Sequence, residues 1–308
     1  MRCPITYKET TNRYAPEAIK LFSSQATILN DFPFSVEEQL QEAVARASKM
    51  SIQGMQPKLS TVFSLANGSF EIVDSSGTFI MKPQHLQFKE LPENEDLSMR
   101  LAKSAGAKVP FHGMIYCSDG TLTYFIKRFD RLSRGKKLPV EDFAQLLGFF
   151  RETKYAASME RVAEAIERFC TFPAIEKIEL FRRVLISFLV GNEDMHLKNF
   201  SLITEKDITT LSPVYDMVNT TIALHSAKEE IALPIKGNKK NLTRAMFFKY
   251  FAKERLQLRS EVVDKVAGEI TAAVNSAWPQ LIEASFMSDK MKKEYEQIVN
   301  ERRTRLGL

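Results

Sequence analysis

The sequence predicts an α+β chain of two lobes, a β-rich N-lobe followed by a mainly helical C-lobe. Strand-forming residues crowd into 58–82 and 111–131, in short runs broken by Asn-Gly, Ser-Gly and Asp-Gly turns. Beyond about residue 134 such runs nearly vanish and apolar residues recur at helical spacing. The length, 308 residues, suffices for two lobes whose cores need neither disulfide nor metal staples. The division falls at residue 130, giving an N-lobe of 1–130 and a C-lobe of 131–308.

Residues 1–50 are mixed in texture, with a helix expected over Val36–Lys49 and no evident site. The stretch LSTVFSLANGSFEIVDSSGTFIMK predicts a three-stranded antiparallel meander, turning at Asn67-Gly68 and Ser76-Gly77 and ending near Lys82. PENEDLSMRLAKSAG follows as a helix, acidic in its first turn and stopped by Gly106. FHGMIYCSDGTLTYFIKRFDR reads as a second hairpin turning at Asp119-Gly120. Helical spacing then covers Glu141–Phe149, Met159–Phe169 and Ala174–Val190. An irregular interval holds a small hairpin, Phe200–Ile203 with Ile208–Leu211, before helices over Arg244–Glu254, Ser260–Ser276 and Trp278–Arg303. Arg302, Arg303 and Arg305 read as a solvated helix end.

Composition excludes several classes. With 44% hydrophobic and 26% charged residues the chain is neither collagen-like, coiled-coil nor wholly disordered. A net charge of +5 is too mild to argue for nucleic-acid binding and describes a solvated surface. Cys3, Cys117 and Cys170 form no CxxC pair, which suits a reducing compartment, and four scattered histidines offer no zinc spacing. The polar N-terminus lacks the apolar core of a signal peptide, and Ile186–Val190 is far too short to span a bilayer. The expectation is a soluble, cytoplasmic chain with no membrane attachment.

Four segments carry chemistry. SIQGMQPKLS, residues 51–60, places Gly54 in a polar loop feeding a strand. Such a loop is either an ordinary turn or one whose backbone N–H groups approach a phosphate. Lys82 ends the third strand; there it is either solvated or, aimed into a cleft, a partner for nucleotide phosphates. Glu95 in the next helix either decorates a helix N-terminus or orients Lys82 through an ion pair. The fourth segment weighs most. In Glu193-Asp194-Met195-His196-Leu197-Lys198-Asn199-Phe200, Asp194 and Asn199 are separated by four residues, the D-x-x-x-x-N spacing of a phosphotransfer loop. A carboxylate there accepts a hydroxyl proton, and an amide oxygen on the same loop holds magnesium, which wants few protein ligands and hard oxygens. Asp216, in Tyr215-Asp216-Met217, supplies a second metal carboxylate where a protein kinase has its DFG aspartate. His196 either touches phosphate or packs the loop; Lys198 either neutralises the transferred group or lies on the surface.

Taken in order, SIQGMQPK, IMKP, PENEDLSMRLAKSAGAKVP, KRFDR, VGNEDMHLKNFSL and LSPVYDM resemble the blocks of the HipA-like serine/threonine kinases, toxins of bacterial toxin–antitoxin systems. The resemblance implies a bilobal protein-kinase-like fold using ATP and Mg²⁺. It implies that Asp194 is the catalytic base, that Asn199 and Asp216 hold magnesium and that Lys82 contacts ATP phosphates. Lys127, Arg128 and Phe129 are implied to line the adenine pocket, and Gln53, Gly54, Met55, Gln56, Pro57 and Lys58 to form the phosphate loop. His196, Lys198 and Tyr215 then lie beside the nucleotide, and Ser51 is implied as an autophosphorylation site whose added charge expels the loop. Long members carry an extra N-terminal subdomain for which there is too little chain before Ser51. That resembles the short HipT type of three-component systems, with a small partner standing for the subdomain. The implied substrate is an aminoacyl-tRNA synthetase. DNA is met only through a DNA-binding antitoxin, since no basic recognition helix is evident. Two other readings remain open: a kinase of a small molecule or lipid, because D-x-H-x-x-N also resembles phosphoinositide and aminoglycoside kinases, and a non-catalytic nucleotide-binding module.

Overall fold

The computed structural model describes residues 1–46, 56–132, 135–224 and 229–308. Ser51, Gln53, Gly54 and Met55 lie outside the described residues. The chain forms two compact units, one of Met1–Asp96, Pro110–Arg131 and Ala284–Met287, the other of Leu97–Val109, Leu132–Glu283 and Ser288–Leu308.

The first unit holds helices α1 (Pro16–Lys20) and α2 (Val36–Arg46) and strands β1 (Leu59–Ser64), β2 (Ser69–Ile72) and β3 (Phe79–Lys82). Helix α3 (Leu91–Ser104) begins here, its residues from Leu97 belonging to the second unit, and β4 (His112–Tyr116) and β5 (Leu122–Lys127) complete the sheet. The order is β2-β1-β3-β5-β4, every described pair antiparallel. The meander expectation is therefore corrected: β3 pairs with β1, Leu59 opposite Met81, and not with β2. Gly77 allows the return, because a Cβ there would lie 2.0 Å from Ser60 Oγ. The sheet core is aromatic. Phe22 stacks on Phe63 at 4.6 Å and meets Phe111 edge-on at 5.1 Å, while Phe70 and Phe125 are fully buried beside it.

The second unit contains β6 (Val140–Asp142), α4 (Phe143–Leu147), α5 (Met159–Phe169), α6 (Pro173–Leu189), β7 (Ser201–Glu205), β8 (Ile208–Leu211) and α7 (Thr220–Leu224). A π-helix over Ala245–Arg255 leads to α8 (Ser260–Ala284) and α9 (Asp289–Leu306). The helix expected over Glu141–Phe149 is shorter. Glu141 and Asp142 instead pair with Leu202 and Ser201 of β7, and Gly148 stops α4 in the left-handed region at φ +72°. The break expected before Trp278 is absent: α8 runs through Pro279, held by fully buried Trp278, whose indole donates to the Leu101 carbonyl at 3.2 Å. Cys3, Cys117 and Cys170 are free and buried. Among the described residues no helix is long and apolar enough to cross a membrane.

Candidate active site

Helix α6 is buried from Leu180 to Leu189, and this buried end delivers the loop that follows. Gly191 makes the turn at φ +78°; a Cβ there would lie 2.6 Å from Asn219 Oδ1. Its carbonyl accepts from the backbone N–H groups of Thr220 and Thr221 at 3.0 and 3.2 Å, which ties the loop to α7. The next turn is built around Asp194. Its N–H donates to Asn192 Oδ1 at 3.0 Å, and its carbonyl accepts from His196 N–H and Asn199 Nδ2, both at 2.8 Å. With that nitrogen committed, the Asn199 amide has its oxygen left for a cation. Buried Met195 and Leu197 anchor the turn, while the Asp194 side chain stays about half exposed, at 49%.

Tyr155, which the sequence reading does not single out, donates its hydroxyl to Asp194 Oδ1 and sets its ring edge-on to His196 at 5.0 Å. Burial, then the bond to Asp194, push the Tyr155 phenol up, so it stays a protonated donor. His196 is buried with Nε2 3.9 Å from Asp194 Oδ1; burial holds its imidazole below the ordinary value and neutral. The charges of Asp194 and Asp216 both reach His196 and oppose that shift.

Asp216 sits at φ +53°, an uncommon conformation for aspartate. The residue before it fixes its place: Tyr215 donates to the Lys198 carbonyl at 3.0 Å and also bonds Ser201 Oγ. Lys198 Nζ lies 3.6 Å from Asp142 Oδ2. Asp142 is a second residue missed as part of the site, although the Asp142-x-x-Gln145 capping box that locks it at the start of α4 is legible in sequence. The second unit thus brings Asp194, His196, Lys198, Asn199, Tyr215 and Asp216 together. The donors Asn199 and Asp216 are hard oxygens and suit magnesium completed by phosphate. Among the described residues no group of three or more His, Cys, Asp or Glu is placed to enclose a metal.

In the first unit, Lys82 is not a solvated strand end. Its side chain is 3% exposed and pairs with fully buried Glu95 on α3. Register places Lys82 opposite Tyr124, with Nζ 5.6 Å from that ring centroid. Around this pair, His112 Nδ1 bonds Asp96 at 2.9 Å, and Gln84 donates to both Glu93 oxygens at 2.9 and 3.0 Å. Burial raises the Glu93 carboxyl to about 7. Lys127 is exposed at the end of β5, and Arg128 forks onto Asp130 at 3.0 and 2.9 Å. Phe129, Gln56, Pro57 and Lys58 are half-buried, the last three directly preceding β1.

The fold is shared with HipA of Shewanella oneidensis, solved with HipB and its operator DNA: TM-score 0.68 at 21% identity, covering 91% of this chain and 73% of that one. The chain belongs to the HipA-like C-terminal domain family, which matches residues 50–278. A Sinorhizobium fredii relative named "Putative kinase Y4dM" is 30% identical over 281 residues, 86% of this chain and 67% of its own. A Haemophilus influenzae relative named "Putative kinase" is 28% identical over 232 residues, 71% of this chain and 66% of its own. The chain spans about two thirds of the length of both relatives.

Proposed function

We propose that the chain is an ATP- and Mg²⁺-dependent serine/threonine-protein kinase acting as the toxin of a toxin–antitoxin system. The observation that carries the reading is the loop in which Asn199 Nδ2 holds the Asp194 carbonyl while Tyr215 ties Asp216 to Lys198 and Ser201. In this reading Asp194 takes the proton of a substrate serine, whose oxygen bonds to the γ-phosphorus. The bond from that phosphorus to the β–γ bridging oxygen breaks, and ADP leaves. Asn199 and Asp216 hold Mg²⁺, which when bound neutralises charge on the phosphate oxygens. Lys82, oriented by Glu95, contacts the phosphates; Lys127, Arg128 and Phe129 line the adenine. Gln53 to Lys58 bind the phosphates, with His196 and Lys198 beside them. Ser51 is the autophosphorylation site, whose added charge drives the loop from its ligand.

The proposed substrate is a serine of an aminoacyl-tRNA synthetase. The proposed partners are a DNA-binding antitoxin, in keeping with the HipB–operator complex of the structural neighbour, and a small protein equivalent to the N-subdomain of longer toxins. Incubating the purified chain with γ-labelled ATP, with and without Mg²⁺, tests the reading. Mg²⁺-dependent label on Ser51 and on host protein, absent in Asp194→Ala, supports it. Label confined to small molecules or lipids, or nucleotide binding without transfer, overturns it.

A further inference from the structure

Arg302, on the last helix, is not part of a solvated helix end. Its side chain is 6% exposed and lies beyond the residues matched by the family. One guanidinium nitrogen donates at 2.7 Å to the carbonyl of Phe188, in the final turn of α6, and the carbon sits 5.0 Å from that residue's ring centroid. The other nitrogen donates at 3.0 Å to Glu193 Oε1 and at 3.1 Å to Thr221 Oγ1. Glu193 is the residue immediately before Asp194. Its own N–H donates to Thr220 Oγ1 at 2.7 Å, and its carboxylate takes a further bond from Thr221 at 2.6 Å. Main chain and side chain of Glu193 are therefore both held, and the guanidinium fork joins three elements there: α6, α7 and α9.

We propose that Arg302 is a positioning residue that sets the Asp194 carboxylate for phosphoryl transfer by clamping Glu193 to the end of α6; the inference rests on the kinase reading. Only a planar fork with several donors reaches the Phe188 carbonyl, the Glu193 carboxylate and the Thr221 hydroxyl at once; an ammonium reaches fewer. Small displacements of a reacting group cost rate steeply, so the loss appears in the chemical step and leaves nucleotide affinity in place. A cavity of about 300 Å³, lined by Glu193, Thr221, Glu230, Lys240 and Arg302 among others, adjoins the guanidinium, and Arg302→Ala would open it toward the same carboxylate.

The test measures kcat and KM for ATP in full-length wild type, Arg302→Ala and Arg302→Lys, with the folded fraction taken from thermal melts. Guanidinium or methylguanidinium is added at non-denaturing concentration. Expected is a fall in kcat of about 10- to 100-fold per folded molecule in Arg302→Ala, with KM for ATP within about twofold. Arg302→Lys falls between, and guanidinium restores the alanine variant while leaving wild type unchanged. A kcat that tracks only the folded fraction, or that guanidinium does not restore, overturns the inference while the kinase reading stands. An inactive wild type overturns both.

Discussion

Glu93 is the most exacting test of the buried polar cluster in the first unit. It is 7% exposed, its two oxygens receive Gln84, and burial lifts its carboxyl from the ordinary 4.5 to about 7. The folded state thus keeps a proton that the unfolded chain surrenders near 4.5. The stabilisation from this group is complete below pH 4.5 and is lost as pH climbs toward 7, after which the difference is flat. The loss over that window is about 3 kcal/mol. Other groups titrate in the same range, so the readout is the difference between wild type and Glu93→Gln in urea unfolding at closely spaced pH values. The amide cannot ionise; its different bonding to Gln84 adds only an offset independent of pH. The difference should move in favour of Glu93→Gln by about 3 kcal/mol between pH 4.5 and 7. Parallel curves for the two proteins would refute the reasoning.

The Lys82–Glu95 pair sits in the same cluster, at 3% and 0% exposure. Lys82→Met should cost about 3–5 kcal/mol by leaving a buried carboxylate, and Lys82→Met with Glu95→Gln should recover most of it. A denaturation double-mutant cycle reads this directly, and additive losses would contradict it. Asp216→Gly should relieve the left-handed backbone and stabilise the fold by about 1 kcal/mol while abolishing transfer, as strain kept for function predicts. Paired melts and transfer assays check both signs.

Local pattern revealed much of this protein, and non-local pairing set the limit. Met159–Phe169 forms the helix its spacing predicts, end to end, because an amphipathic stripe is written within one element. Asn67-Gly68 and Asp119-Gly120 make their hairpin turns for the same reason. The return of β3 to the far side of β1 was not legible, since Ser76-Gly77 signals a turn without naming the strand it feeds. In the candidate site, the Asp194–Asn199 spacing and the later Asp216 stood out because chemistry constrains residue types. The hydroxyl of Tyr155 reaches Asp194 across 39 positions, and no sequence pattern announces that contact. Arg302 misled for a different reason: three arginines near a helix end look alike in sequence, and only tertiary packing buries this one under Glu193 and Phe188.

The proposed phosphoryl transfer depends most on Asp194 as the group that takes the hydroxyl proton. Single-turnover transfer of the ATP γ-phosphoryl, followed by phosphosite mapping, measures this in wild type and in Asp194→Asn, which keeps the loop's backbone bonds. A proton-accepting Asp194 predicts a rate lower by at least about 10²-fold in Asp194→Asn, with an unchanged melt and retained Mg²⁺-dependent nucleotide binding. Transfer by Asp194→Asn at the wild-type rate would contradict it.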